Sequence, residues 1–150
     1  IDGFTEEYKV FQKGAYKIGV FGVGVELKGL VPDSKFGETE YLDPIEVATD
    51  RAAALKKEGC DLIICLSHLG YTYDDPERMS DLVLAKNTKD IHLIIGGHTH
   101  TFLEKPVAAM NAVGQTVLIN QVGWAGVNLG RIDFHFSKAK FRNEEVLLIQ

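Results

Sequence analysis

The segment DIHLIIGGHTHTF, Asp90–Phe102, is an apolar run followed by two glycines and then two histidines one residue apart. An apolar run of this length reads as a strand buried on both faces, the pattern of a parallel sheet. Paired glycines at its end permit a sharp turn or a close approach of backbone to ligand. Upstream, DLIICLSH (61–68) repeats the plan: Leu62–Leu66 is unbroken apolar sequence, and Ser67-His68 closes it. Between the two, DDPERMSDLVLAKNTKD (74–90) predicts a helix that begins near Asp75-Pro76 and turns Met79, Leu82 and Val83 toward the core. Strand, helix and strand make one βαβ unit, so the two strands run parallel. Their carboxyl ends then share a sheet edge, where ligand sites of open α/β sheets gather. Topology alone brings three of the five histidines, His68, His98 and His100, to that edge.

The flanking sequence fills in an α/β domain. YKVFQKGAYKIGVFGVGV (8–25) predicts two strands around a turn at Lys13-Gly14, the second from Tyr16 to Val25. KGLVPDSKFGETEYL (28–42) is polar and carries Pro32 and Gly37, so it reads as a loop. A helix follows, with Asp43 as cap, Pro44 in the first position and Glu46 in capping-box spacing. Ile45, Ala48, Ala52 and Leu55 share one face of it, and Gly59 ends it. Lys105-Pro106 leads into a strand, and residues 106–122 predict a hairpin around Val113-Gly114. Residues 126–150 predict one or two further strands. The expected architecture is one domain, with one βαβ unit followed by mostly antiparallel strands.

Composition sets limits on function. The chain has 150 residues, 45% hydrophobic and 25% charged, enough for one domain with a real core. A net charge of −5 lacks the basic stripe that a nucleic-acid polymer requires. No apolar run approaches the ~20 residues that span a bilayer. Cys60 and Cys65 lie roughly 16 Å apart along an extended chain, beyond disulfide reach, and read as buried thiols.

Imidazole is a common ligand for zinc, iron and manganese. In an extended segment His98 and His100 would face one side about 6–7 Å apart, suited to one metal or to two neighbouring metals. Carboxylates to complete such a centre are sparse. Asp90 and His92 stand at the start of their strand. Asp133 and His135 alternate like a solvated strand face, and Asp74 and Asp75 lie in the loop after His68. Asn120 and Gln121 are candidates for reaching a phosphate or orienting a ligand, and Trp124 for packing its loop. Ser67 and His68 point apart on a strand, which excludes a nucleophile–base pair.

LSHLGY (66–71) together with IIGGHTHTFLEKP (94–106) resembles the calcineurin-like metallophosphoesterases, specifically the 5′-nucleotidase group. The resemblance runs from about Tyr8 to about Phe136. It implies part of a four-layer α/β/β/α sandwich and hydrolysis of nucleoside 5′-monophosphates by in-line attack of water at two divalent metals (Zn, Mn, Mg or Fe). It also implies His68 and His98 on one metal, His100 on the other, and a periplasmic or cell-surface setting. The family's earlier Asp-x-His, Gly-Asp and Gly-Asn-His motifs do not stand in their places here. The chain therefore looks like the C-terminal part of a metallophosphatase domain, inactive alone, without the nucleotide-specificity domain. An exposed sheet face near Val20, Phe21 and Ile64 is then expected, open to self-association. Alternatives are a metallophosphoesterase for cyclic nucleotides or nucleotide sugars, and a non-catalytic metal- or protein-binding module.

Overall fold

Strand β3 (Leu62–His68) is flanked by parallel neighbours on both sides, which explains its unbroken apolar run. The computed structural model describes residues 5–136. Strands β1 (Tyr8–Lys13) and β2 (Tyr16–Gly24) form an antiparallel hairpin turning at Gly14. A single helical turn, α1 (Asp33–Phe36), interrupts the following loop. Helix α2 (Pro44–Lys57) then leads to β3, α3 (Asp81–Asn87) to β4 (Leu93–Ile95), and the hairpin β5 (Val107–Met110) and β6 (Thr116–Asn120) completes the sheet. The strand order is β1-β2-β3-β4-β6-β5.

Helix α2 forms where its caps predict. The Asp43 carboxylate accepts from the backbone N–H groups of Ile45 (2.7 Å) and Glu46 (3.1 Å), and Gly59 takes the left-handed conformation beyond the last turn. Its buried face, Ala48, Ala52 and Leu55, packs on the sheet side carrying Phe21, Ile63 and Cys65. Leu84 and Ala85 of α3 close the same core over Ile94, Val117 and Ile119. Cys60 and Cys65 are buried free thiols.

Several details depart from the sequence reading. The parallel set is larger than one βαβ unit: β2, β3, β4 and β6 all run parallel, and only β1 and β5 oppose their neighbours. The hairpin β5–β6 hides this, because its return strand β6 lands beside β4. Helix α3 starts at Asp81, not near Pro76. Ser80 is extended and its hydroxyl accepts from Val83 N–H (3.3 Å), while residues 74–78 form bends and turns. Residues 126–136 form no strand; the rest of the expected C-terminal strands lies outside the described residues. The alternation of Ile132, Phe134 and Phe136 serves instead to line a 580 Å³ groove on the open face of the sheet with Ile18, Ile64 and Leu93. Phe136 stacks on Tyr16 with ring centroids 4.2 Å apart. Phe21 is not on that open face. Register pairs it with Cys65, on the helix side, and it is 2% exposed. The open face nearest the strand ends carries Leu66 and Ile95, 49% and 43% exposed.

Leu55 is fully buried between α2 and the sheet. Leu55→Ala is expected to lower unfolding free energy by about 2–5 kcal/mol, read as an earlier urea midpoint with an unchanged slope. A loss below about 1 kcal/mol would contradict this packing.

Candidate metal-binding site at the strand ends

Parallel pairing of Leu66 with Ile95 sets the ends of β3 and β4 side by side. His68 closes β3, and the Gly96-Gly97-His98 turn leaves β4 at the same level. The rings of His68 and His98 meet edge to face, centroids 5.2 Å apart and planes at 74°. Gly97 is what permits the approach. A Cβ there would stand 2.9 Å from His68 Nδ1, closer than real side chains come. His98 is held below the ordinary histidine pKa by burial first, then by the charges of His68, Arg78 and His100. Its ring therefore favours the neutral form, whose lone pair is free for a ligand role.

His100 does not join the pair. The segment is not extended: His98 (φ 73°) and His100 (φ 55°) are both left-handed, an unusual state for residues other than glycine. Two such residues break the period-two alternation that would have placed both rings on one side. His100 instead stacks on Trp124, centroids 5.7 Å apart and planes at 16°. Trp124 is 59% exposed, so it covers His100 at the rim and is not an internal packing group for its loop. Among the described residues no three His, Cys, Asp or Glu side chains are close enough to hold a metal ion.

The other acids and histidines lie elsewhere. Asp90 pairs with Lys56 (3.6 Å), and His92 Nδ1 accepts from Ile63 N–H (3.0 Å) at the opposite end of the strand. Burial, then Lys56, lowers the His92 pKa and keeps that acceptor available. Asp133 pairs with Arg131 (3.0 Å), and His135 is exposed. Asp75 accepts from Glu77 N–H within its own loop, and Asp74 is exposed.

Two buried polar side chains hold the histidine turn. Gln121, 1% exposed, accepts from Thr101 N–H and from the Thr99 hydroxyl (3.1 Å), and donates to the Gly97 carbonyl (2.7 Å). Both ends of its amide are thus engaged with the turn and not directed at solvent. Asn120, one residue earlier, lines the groove on the open face, and its Oδ1 has no hydrogen-bond partner. The second buried group is Asp81, which the sequence reading leaves inside the expected helix without a role. It is fully buried and accepts from the Ser67 hydroxyl (2.5 Å). Desolvation pushes its pKa up to about 6, against the opposing effect of that hydrogen bond. The Cys65 thiol is pushed far up, by burial first and by the nearby Asp81 second, and stays protonated.

No protein-family model matches the chain. Sequence relatives are nonetheless consistent. The trifunctional nucleotide phosphoesterase YfkN of Bacillus subtilis is 33% identical over 123 residues, covering 81% of this chain and 8% of that protein. A Tabanus yao apyrase is 31% identical over 146 residues, with 86% and 24% coverage. The venom 5′-nucleotidase of Naja atra is 30% identical over 103 residues, with 69% and 18%. In structure, the 5′-nucleotidase precursor of Thermus thermophilus superposes with a TM-score of 0.63 at 29% identity, over 80% of this chain and 24% of that one. The chain belongs to the 5′-nucleotidase group of metallophosphoesterases. Its α/β sheet is the fold of that group. It spans no more than about a quarter of the length of these relatives.

The raised Asp81 pKa gives a signed pH effect. Between the ordinary 3.8 and about 6, the folded state keeps a proton that the unfolded state releases. Stability from this group is therefore fully present below about pH 4 and lost as pH rises through about 6. Relative to Asp81→Asn, the wild-type protein should lose on the order of 2 kcal/mol across that window. Urea midpoints from about pH 3.5 to about pH 7 measure this, and parallel curves for the two proteins would contradict it.

Proposed function

We propose that these residues form the C-terminal part of the metallophosphatase domain of a phosphohydrolase that converts nucleoside 5′-monophosphates to nucleoside and phosphate. The observation that carries this reading is the His68–His98 pair, 5.2 Å between ring centroids at the carboxyl edge of parallel strands. The names of the relatives, nucleotide phosphoesterase, apyrase and 5′-nucleotidase, support a nucleotide as substrate.

The donor set fits one side of a metal shell. In this reading His68 and His98 hold one divalent ion through neutral imidazoles, and His100, at the rim beside Trp124, faces a second. The ions supply Lewis acidity at the phosphate oxygens and acidify water. The chain's own part is to hold and orient. Gln121 fixes the backbone on both sides of His98 and His100, and Gly97 admits His68. In the overall reaction a water oxygen bonds to phosphorus, the ester P–O bond breaks, and the nucleoside oxygen leaves with a proton. Among the described residues no third His, Cys, Asp or Glu joins the pair in a group that could hold a metal ion. That shortfall supports placing the bridging carboxylate and the catalytic histidine in a preceding segment of the same domain. The apolar open face, with Leu66 and Ile95 exposed, is where that segment packs in this reading. Alone, the chain has Val20 and Ile64 on the same face for self-association. An exported setting is supported by the venom 5′-nucleotidase and by the precursor form of the structural relative.

The test is phosphate release from AMP with Mn²⁺ or Zn²⁺. The 150-residue chain is expected to release none. A longer protein that restores the missing motifs is expected to be active and to lose at least about 10²-fold on His98→Ala. Release by the chain alone, abolished by His98→Ala, would overturn the half-site reading. Full activity of the longer His98→Ala protein would overturn the metal role.

A further inference from the structure

We propose that Asp81 is a positioning residue, whose carboxyl group fixes the spacing of the two histidine-bearing strand ends by holding Ser67 with one oxygen and seating the other against Gly96. The proposal rests on the reading of His68 and His98 as metal ligands.

The Ser67 hydroxyl ties the backbone on both sides of His68. It accepts from Leu69 N–H (3.2 Å) and donates to Asp81 Oδ1 (2.5 Å). This is a Ser-type turn drawn around the histidine. Asp81 is itself anchored, its N–H donating to the Gly70 carbonyl (2.8 Å) at the start of α3. The other oxygen, Oδ2, is buried without a hydrogen-bond partner. It occupies the space that a side chain on residue 96 would take, since a Cβ on Gly96 would collide with it. The carboxyl group is therefore the spacer between the end of β3 and the turn that carries His98. From another side, Gln121 holds the Gly97 carbonyl (2.7 Å). The turn sits between two buried polar groups, and only Asp81 also reaches the His68 strand.

A buried, half-satisfied acid opposes stability. An apolar residue of similar size would fill the volume without that cost, but it offers Ser67 no acceptor. The directional bond to Ser67 is what the carboxyl group adds. Groups that orient metal-binding histidines commonly change metal affinity by about 10–100-fold when removed.

The experiment is Zn²⁺ titration of the whole 150-residue chain by calorimetry, with backbone amide spectra to confirm folding. Asp81→Ala and Ser67→Ala are each expected to weaken Zn²⁺ binding by about 10–100-fold. Because both remove the Ser67–Asp81 hydrogen bond, the double variant should weaken binding by less than the product of the two single effects. Asp81→Asn keeps an acceptor of the same shape and is expected to stay near wild type. A folded Asp81→Ala protein with wild-type affinity overturns the proposal, as does Asp81→Asn binding as poorly as Asp81→Ala. Should Asp81→Ala fail to fold, wild-type affinity in Ser67→Ala overturns it. If the wild-type chain binds no Zn²⁺, or His98→Ala leaves binding intact, the ligand reading has failed instead. The positioning claim is then decided without metal. The nuclear Overhauser contact between the rings of His68 and His98 is expected in the wild type and lost in Ser67→Ala. Its persistence there overturns the claim.

Discussion

The site depends on the parallel pairing of β3 with β4 and on the missing side chain at Gly97. Pairing sets two strand ends level, and every parallel sheet does as much. What turns that neighbourhood into a ring-to-ring approach is the space beside Gly97, into which the His68 imidazole projects. A methyl group in that space would force the His68 imidazole to shift. Sheet hydrogen bonding and one glycine thus fix the site more firmly than any attraction between the rings, which repel when both are charged.

The turn beyond Gly97 is held by polar groups where an ordinary strand end would be held by apolar packing. Left-handed backbone at His98 and His100 is strained and persists only when its surroundings over-determine it. Gln121, Thr99 and Thr101 supply that determination from the β6 side, and Ser67 with Asp81 from the β3 side. The turn can therefore present imidazoles in a fixed arrangement without a ligand. The remaining deficit is carboxylate. In the proposed reading, two imidazoles and a third at the rim form part of a metal centre, and the apolar surface at Leu66 and Ile95 receives a further segment of the domain.

Much of this was legible in the sequence, for identifiable reasons. Apolar runs ending in His68 and in Gly96-Gly97-His98 mark parallel strands and their carboxyl ends, and Asp43-Pro44 marks the start of α2. Other features leave no periodic trace. The pairing of β6 with β4 depends on where a hairpin lands, and nothing in residues 106–122 encodes that. The alternation of Ile132, Phe134 and Phe136 reports one covered face, which a chain lying across a sheet satisfies as well as a strand does. The divergence of His98 and His100 comes from two positive φ angles that the Gly-His-Thr-His pattern does not announce. Asp81 falls inside the helix that the sequence starts near Asp75-Pro76, and only burial beneath Gly96 distinguishes it.

The central claim is that His68 and His98 share one metal ion. Anomalous diffraction from a crystal grown with Zn²⁺ tests it most directly. The account predicts a peak between the two rings, about 2.0–2.1 Å from one nitrogen of each. A well-ordered structure with no peak there, or with the metal bound instead at Asp90 and His92 or at Asp133 and His135, would contradict it.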